Sequence, residues 1–259
     1  MATIQSVQRA LKILSFFSLP RVSLGIGEMS DLLGVPRGTV HGLVRTLVQE
    51  GFLRQDPETR KYRLGFKLYE QGSILASSLE INQKANDPSH ELAVRTRLDV
   101  RIVVWDGETV LFTMGASGRS LPLFQAGPRA PAYCTASGRA ILASLSLPEL
   151  HEYLEGTALI PYTPATITDR DAFLKEIEAT RSRGYAISRE EYLRGRNALA
   201  VTVFGRNECL AGAISISGTT DVLLREQEDD LAGELIKTAT DISRRMGYYP
   251  EEIRRLGNQ

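Results

Sequence analysis

Apolar residues recur with the spacing of an α-helix between Pro36 and Gly51. The apolar positions in this stretch, three and four residues apart, are Val40, Leu43, Val44, Leu47 and Val48. Proline suits the first turn of a helix because its missing N–H has no partner there, and glycine suits the left-handed residue that ends one. The pattern therefore predicts a helix that begins near Arg37 and ends before Gly51.

Two further helices are predicted upstream of this one. Residues 26–34 form a shorter apolar-periodic segment, and residues 6–17 are amphipathic. The predicted apolar stripe of the first helix consists of Val7, Ala10, Leu11, Leu14 and Phe17. Gly34-Val35-Pro36 is a short turn between the second and third helices, which is typical of a helix-turn-helix whose second helix enters the major groove of DNA.

A short hairpin is predicted directly after Gly51. The runs Phe52-Leu53-Arg54 and Lys61-Tyr62-Arg63-Leu64 are strand-like, and residues 55–60 between them are rich in turn-forming types. This hairpin would be the wing of a winged helix-turn-helix. Any three-helix domain can show part of the pattern, but the ordered set of three helices, a tight turn and a basic wing favours a DNA-binding domain.

The polar face of the third helix and the wing contain the DNA-binding candidates. Arginines can bind phosphates or base edges, and small residues allow a duplex to approach closely. The predicted DNA-binding residues are Arg37, Gly38, Thr39, His41, Arg45, Arg60 and Lys61. For His41, an exposed histidine without a DNA contact is the competing interpretation.

The charge distribution supports a nucleic-acid partner although the net charge is zero. Residues 1–67 hold ten Lys or Arg and five Asp or Glu, a net charge of +5, whereas the remainder holds 21 basic and 26 acidic residues, a net charge of −5. Positive charge is thus concentrated in the segment with the helix-turn-helix pattern, as expected for a DNA-binding domain joined to an acidic partner domain.

Length and composition favour two domains in one cytoplasmic protein. A chain of 259 residues is too long for one small winged helix. It has no apolar run of roughly 20 residues, as a membrane helix would need, and no signal-peptide pattern, so no membrane association is predicted.

Cys134 and Cys209 are far apart in the sequence, and no histidines pair as ligands. We predict no metal, no cofactor and structural roles for both cysteines.

The rest of the chain indicates a linker and an α+β domain. A linker helix is predicted over residues 66–85, interrupted by Asn86-Asp87-Pro88, with helix resuming over 89–97. Four predicted segments follow from this boundary: a DNA-binding domain over 1–65, the linker over 66–85, a second domain over 86–250 and a tail over 251–259.

Strand and helix patterns alternate irregularly in the second domain. A hairpin is predicted from residues 100–105 and 109–114 around Asp106-Gly107, followed by an extended run or loop over 121–129. Helices are predicted to begin at Thr135, Ser146 and Thr168, the last ending at Gly184. Later strands are expected over 185–188, 198–204 and 210–217, and a closing helix over 224–246. This order predicts an α+β fold built on an antiparallel sheet.

The chain resembles the IclR family of bacterial transcription regulators over nearly its whole length. The residues that carry the resemblance are Ser6-Val7-Gln8-Arg9-Ala10-Leu11, Gly34-Val35-Pro36-Arg37-Gly38-Thr39-Val40-His41, Lys61-Tyr62-Arg63-Leu64-Gly65, Ala136-Ser137-Gly138-Arg139-Ala140, Tyr162-Thr163-Pro164-Ala165-Thr166-Ile167-Thr168, Arg183-Gly184-Tyr185-Ala186, Glu190-Glu191 and Ala213-Ile214-Ser215-Ile216-Ser217-Gly218. The resemblance implies a winged helix, a linker helix and a GAF-like effector-binding domain. It also implies a homodimer or tetramer on double-stranded operator DNA.

The resemblance also implies where an effector would bind. The family positions fall here on Ala136, Ser137, Ser188, Ala198, Ser215 and Ser217. Ser188 stands where an aspartate is common and Ala198 where a cysteine is common, so this pocket lacks a fixed negative charge. That change favours an anionic effector, such as an organic or aromatic acid, for which Arg119, Arg194 and Arg196 are candidate partners.

Three functions from different classes are compatible with these residues. The leading hypothesis is an effector-responsive regulator, in which ligand binding changes the separation of two DNA-binding heads. The alternative is a constitutive DNA-binding protein whose second domain serves mainly oligomerisation. An enzyme is disfavoured because Ser137-Gly138 lacks the Gly-x-Ser-x-Gly pattern and no histidine has a triad context, so no catalytic residue is predicted. Effector identity, operator sequence and the choice between activation and repression stay open.

Overall fold

The computed structural model describes residues 3–117, 128–223 and 228–249. The chain divides into two compact units, Met1–Ser77 and Ser78–Gln259. Among the described residues, no helix has both the length and the apolar character needed to cross a membrane.

The first unit consists of three helices, a two-stranded wing and a fourth helix that follows the wing. Its elements are α1 (Gln5–Ser15), α2 (Ile26–Leu33), α3 (Arg37–Gln49), β1 (Leu53–Gln55), β2 (Tyr62–Leu64) and α4 (Phe66–Ser78). Helix α2 ends at Gly34, which has a φ of +70°, and strands β1 and β2 pair antiparallel. The predicted helix-turn-helix and wing are therefore present, with α3 beginning at the predicted residue.

The predicted apolar stripe of α1 was wrong in part. Ala10, Leu14 and Phe17 pack against the core of this unit, but Val7 and Leu11 are exposed. The fully buried residue of the helix is Ile13, which the predicted stripe omitted. Residues 10, 13, 14 and 17 follow the spacing of one helical face, whereas Leu11 is turned by roughly 100° from Ala10 and points away from the core.

The predicted interruption around Pro88 was also wrong, as was a single linker helix over residues 66–85. Helix α4 ends at Ser78, Leu79 is extended, and helix α5 (Glu80–Thr96) then continues through Pro88. A proline inside a helix costs about 3 kcal/mol because it removes a hydrogen bond. Here Ile81, Ala85 and Leu92 bury the same face of α5 in the core of the second unit, and this packing outweighs the proline.

The second unit is an α+β domain built on one antiparallel sheet. Its further elements are β3 (Asp99–Trp105), β4 (Thr109–Ser117), β5 (Arg129–Pro131), α6 (Ala136–Ser144), α7 (Leu147–Gly156), α8 (Arg170–Arg183), β6 (Ala186–Arg189), β7 (Arg196–Phe204), β8 (Leu210–Thr219) and α9 (Glu228–Arg245). The six strands have the order β5-β4-β3-β8-β7-β6, and every pair of neighbours is antiparallel. The predicted α+β class is confirmed.

Two apolar clusters hold helices to this sheet. Helices α5 and α9 pack with strand residues such as Ile102, Leu199 and Ile214. Helices α6, α7 and α8 pack with a second set that includes Val103, Val110 and Ala213. Successive residues of a strand point to opposite faces of the sheet, and Ile102 and Val103 accordingly belong to different clusters.

Local capping residues begin the helices of the second unit. Ser146 caps α7 in a capping box with Glu149, as predicted. The cap of α8 is Asp169, whose carboxylate accepts a hydrogen bond from the Ala172 N–H at 2.8 Å, so the predicted start at Thr168 was wrong by one residue. The predicted run 121–129 and the start of the closing helix at 224 lie largely or wholly outside the described residues.

Helix α6 approaches its preceding loop so closely that one position requires glycine. Thr135 caps the helix by accepting the Gly138 N–H at 3.2 Å. A Cβ at Gly138 would overlap with the Cα and carbonyl oxygen of Ala132. Because these are backbone atoms, the clash cannot be relieved by a side-chain rotation.

We expect Gly138→Ala to destabilise the second unit by about 1–3 kcal/mol, the usual cost of overpacking. Trp105 is the sole tryptophan and lies on β3, so its fluorescence during urea unfolding reports this unit. The matched control is Gly233→Ala in α9, where a Cβ would have nothing within 4 Å. That change should be neutral or stabilising by up to about 1 kcal/mol. Equal unfolding midpoints for the two variants would contradict the close packing of α6.

Candidate nucleic-acid interface and effector cavity

Helix α3 presents one face to the core of its unit and the opposite face to solvent. Val40, Val44 and Leu47 are buried. The exposed residues of the helix include five predicted DNA-binding residues: Arg37, Gly38, Thr39, His41 and Arg45. The structure thus brings these five residues to one accessible helix, while their role in DNA binding stays a prediction.

Two glycines leave part of the exposed face of α3 without side chains. A Cβ at Gly38 or at Gly42 would have no atom within 4 Å, so packing within the described unit does not require glycine at either position. Each glycine in a helix interior costs about 1 kcal/mol relative to alanine. The two residues lie one turn apart and leave the helix backbone open to a close external partner.

The wing carries the remaining two predicted DNA-binding residues. Arg60 is exposed at the turn, with a φ of +57°, and Lys61 is exposed on the strand side. The Lys61 ammonium lies 3.3 Å from the Glu28 carboxylate of α2, so it is paired in the free protein. Exposed ion pairs contribute about 0–1 kcal/mol, so this pair opposes a phosphate contact only weakly.

A solvent-open cavity lies on the α6 face of the sheet in the second unit, and the space within it, open solvent included, is about 620 Å³. Concave sites with apolar walls and a few polar groups are where small organic ligands usually bind. Five residues predicted at the effector site line it together: Ser137, Ser188, Ala198, Ser215 and Ser217. They come from α6, β6, β7 and β8, which are distant in sequence but adjacent in the fold.

Two other predicted effector residues are not found there. Ala136 packs with Ala140, Ala186 and Ala200 in a small cluster between α6 and the strands. It is turned by roughly 100° from Ser137 around the helix axis, which places its side chain away from the cavity. Arg119 lies outside the described residues. Of the other arginines considered, Arg196 lines the cavity and Arg194 is exposed.

The sequence did not single out several further lining residues. The additional cavity-lining residues are Arg101, Phe112, Thr135, Tyr192, Leu193 and Asn197. Arg101 follows Val100 on β3 and faces the opposite side of the strand from the buried Val100 and Ile102. This alternation could have predicted the position of Arg101, because a charged residue between two buried apolar residues of a strand lies on the other face of the sheet.

The cavity wall contains two positively charged side chains. The Arg101 guanidinium lies 5.3 Å from the centre of the Phe112 ring. Burial lowers its pKa, and nearby Arg196 adds to this effect while Asp99 opposes it. The Arg196 guanidinium donates to the Asp99 carboxylate at 2.8 Å and to the Ser217 hydroxyl at 3.2 Å. Arginine stays protonated despite such shifts, so both groups can attract an anion.

Two serine hydroxyls border the cavity without a hydrogen bond to another described residue. Ser137 and Ser215 are 4% and 5% exposed, and neither hydroxyl has a hydrogen-bond partner in the part of the chain that the structure describes. By contrast, the Ser188 hydroxyl donates to the Cys134 carbonyl at 3.2 Å. The Ser137 and Ser215 hydroxyls border the open cavity, where they can donate hydrogen bonds to a bound molecule.

A buried ion pair close to the cavity holds one of its loops in place. Arg139 and Glu191, 1% and 6% exposed, form a bidentate pair, and the Arg139 guanidinium also donates to the carbonyls of Ile187 and Tyr133. The Thr166 hydroxyl donates to the Glu191 carbonyl at 2.6 Å. These bonds fix the loop that presents Tyr192 to the cavity.

The remaining nucleophilic and titratable groups show no catalytic arrangement within the described ranges. Burial raises the pKa of the Cys134 thiol to about 12, which keeps it protonated and unreactive. All three histidines, His41, His90 and His151, are exposed, and none of them is among the residues that line the cavity with Ser137. Residues 3–117, 128–223 and 228–249 also contain no cluster of three or more potential metal ligands.

Comparison with known proteins identifies relatives along the whole chain. The model for the bacterial transcriptional regulator IclR C-terminal domain matches residues 74–244, and the IclR helix-turn-helix domain matches residues 6–57. The HTH-type transcriptional regulator XynR of Escherichia coli (strain K12) is 34% identical over 250 residues, which cover 96% of this chain and 99% of that protein.

Solved structures share the same architecture. The crystal structure of Thermotoga maritima IclR has a TM-score of 0.76 at 29% identity and covers 95% of this chain and 100% of that one. An IclR homolog from Microbacterium hydrocarbonoxydans, complexed with 4-hydroxybenzoate, has a TM-score of 0.79 at 21% identity, covering 93% and 98%. The second similarity shows the fold alone. From the domain matches and the relatives together, the chain belongs to the IclR family of bacterial transcriptional regulators.

Proposed function

We propose that this protein is an effector-responsive regulator that binds operator DNA through α3 and the wing and a small organic or aromatic acid in the cavity. The observation that carries the ligand-binding part of the proposal is that Ser137 and Ser215, whose hydroxyls have no hydrogen-bond partner among the described residues, line one cavity with Arg101 and Arg196. A carboxylate can accept hydrogen bonds from hydroxyls and guanidinium groups simultaneously.

The proposal that the protein binds DNA rests on the exposure and the positive charge of three arginines. Arg37 and Arg45 on α3 and Arg60 on the wing are exposed and have no carboxylate partner in the described part of the chain. Phosphate contacts by such residues supply affinity, and base-edge contacts supply specificity. We propose that the protein acts in the cytoplasm as a homodimer or tetramer, because the family implies such assemblies on operator DNA.

An aromatic acid is favoured by the cavity wall and by one relative. Phe112 and Tyr192 add ring surfaces to the cavity, and the Microbacterium hydrocarbonoxydans homolog was crystallised with 4-hydroxybenzoate. The alternative, a constitutive DNA-binding protein that uses its second unit for oligomerisation, does not account for a cavity lined by two arginines and several serine hydroxyls. Catalysis is not proposed because, in the part of the chain that the structure describes, no histidine lies beside Ser137.

We expect Arg45→Ala to weaken specific DNA binding by about tenfold or more, since a bidentate arginine contact to a base contributes about 1–3 kcal/mol. The measurement is fluorescence anisotropy on a duplex that the wild-type protein selects from a randomised pool, at fixed salt. Arg244→Ala, an exposed arginine of α9, is the matched control and should bind normally. Unchanged affinity of Arg45→Ala would remove Arg45 from the interface.

The exposed glycines of α3 lead to a second prediction about DNA binding. Gly42→Ala should preserve or raise the thermal stability, because alanine favours helix by about 1 kcal/mol and its Cβ would have open space. It should nevertheless weaken DNA binding, because the added methyl group obstructs close approach. Gly72→Ala in α4, where a Cβ would also be unobstructed, is the control for the stability gain. Full DNA affinity in Gly42→Ala would show that the duplex does not approach this face closely.

We expect Ser137→Ala and Ser215→Ala each to weaken binding of 4-hydroxybenzoate by roughly tenfold, because a hydrogen bond to a charged group contributes about 1.5–3 kcal/mol. Isothermal titration calorimetry gives the affinities, and anisotropy without ligand should give unchanged DNA binding. Ser144→Ala on the same helix is the control, since Ser144 lies outside the cavity. Loss of ligand and DNA binding together would indicate misfolding, and wild-type protein that binds neither 4-hydroxybenzoate nor benzoate would contradict the proposed ligand class.

A further inference from the structure

Asp99 and Arg196 form an ion pair that crosses one strand of the sheet. Asp99 begins β3, Arg196 begins β7, and β8 lies between these two strands. Ser217 of β8 is the register partner of Asp99 on one side and of Ala198 on the other. Arg196 precedes Ala198 by two residues and therefore lies on the same face of the sheet. Its side chain extends across β8, where the guanidinium donates to the Asp99 carboxylate at 2.8 Å and to the Ser217 hydroxyl at 3.2 Å.

Both of these hydrogen bonds use one nitrogen of the guanidinium, Nη2. The Nε and Nη1 atoms of Arg196 have no hydrogen-bond partner among the residues that the structure describes. Because Arg196 lines the cavity described above, these N–H groups are available to a ligand that carries an acceptor.

The Asp99 side chain is itself held in place. Its carboxylate also accepts a hydrogen bond from the Ser117 hydroxyl of β4 at 2.6 Å, and the side chain is only 13% exposed. Asp99 borders a smaller neighbouring space together with Arg196 and Ser217, but it is not among the residues that line the effector cavity. It would therefore act on a ligand through Arg196.

We propose that Asp99 is a positioning residue that holds the Arg196 guanidinium in place for the carboxylate of the effector. An arginine side chain that is ordered only when a ligand binds loses conformational freedom at that moment, and this loss weakens binding. Here Asp99 and Ser217 order the side chain in the free protein, before a ligand arrives. This inference rests on the proposed acid-binding function of the cavity.

Two probes of nearly identical shape separate the positioning of Arg196 from a general structural role. 4-Hydroxybenzoate carries a carboxylate, and 4-hydroxybenzamide carries a neutral amide in its place. We expect isothermal titration calorimetry of the full chain to show about tenfold tighter binding of the acid, because only the acid forms charge-assisted hydrogen bonds on both sides. Asp99→Ala should remove most of this preference by weakening the acid and not the amide. An equal loss of both probes in Asp99→Ala would show a structural role only and overturn the inference.

Asp99→Asn separates the position of Arg196 from the charge of Asp99. The asparagine oxygen can accept from Arg196 and its NH₂ group can donate to the Ser117 hydroxyl, so the contacts are kept while the negative charge is removed. We expect this variant to keep the preference for the acid. Tighter binding of the acid in both Asp99→Asn and Asp99→Ala would show that the carboxylate mainly repels the ligand, and would overturn the inference. Asp241→Ala, which breaks an ion pair with Arg245 on α9, is the matched control and should leave both affinities unchanged.

A double-mutant cycle tests whether Asp99 acts through Arg196. Arg196→Met keeps an extended side chain without the guanidinium and should abolish the preference for the acid. In that background, Asp99→Ala should cause no further loss of acid binding, and a further loss would overturn the inference. Wild-type protein that binds the acid no better than the amide would overturn the inference alone, whereas wild-type protein that binds neither probe would overturn the proposed function with it.

Discussion

The buried ion pair between Arg139 and Glu191 is the interaction on which the second unit most depends. Transferring two charges from water to the interior costs several kcal/mol per ion, and the cost is offset only by good geometry and additional hydrogen bonds. The two terminal nitrogens of the guanidinium meet both conditions, because they bind the carboxylate and also donate to the Ile187 and Tyr133 carbonyls, whereas Arg139 Nε has no partner among the described residues. Removing one partner would leave an uncompensated charge in the core, which typically costs about 3–5 kcal/mol.

This pair joins two segments about 50 residues apart in sequence, namely α6 and the stretch formed by β6 with the loop that follows it. Arg139 belongs to α6, Ile187 to β6 and Glu191 to the loop that follows β6. Ser137 lies two residues before Arg139, and Ser188 lies directly after Ile187. Fixing the ion pair therefore also fixes the backbone of two cavity walls, so the geometry of the cavity depends on a pair that is not part of its lining.

Most of the secondary structure could be predicted from the sequence because it depends on local signals. Pro36, Gly51, Ser146 and Gly184 mark helix ends through backbone conformation and capping, which need no knowledge of the fold. The predictions at Pro88 and Leu11 were wrong because local signals do not decide these two features. Whether a proline is tolerated, or which flank of an amphipathic helix is buried, depends on the tertiary contacts that the helix makes.

The cavity could be predicted only in part for the same reason. Ser137, Ser188, Ala198, Ser215 and Ser217 were identified through resemblance to a family, and the structure brings them together. Arg101 and Asn197 reach the cavity through strand register, which pairs Arg101 with Ser215 and Asn197 with Gly218 across the sheet. Such pairings join residues about 20 to more than 100 positions apart, and single-sequence patterns contain little information about them.

In the small alanine cluster beneath α6, the residues that determine packing differ from the residue that determines the shape of the cavity. Ala186 and Ala200 are fully buried against the helix, so a larger side chain there would displace α6 and the cavity wall with it. Ala198 lies at the edge of the same cluster and faces the cavity, where added methyl groups would occupy ligand space instead of core space. A larger residue at position 198 would therefore change the shape of the cavity while leaving the packing beneath α6 unchanged.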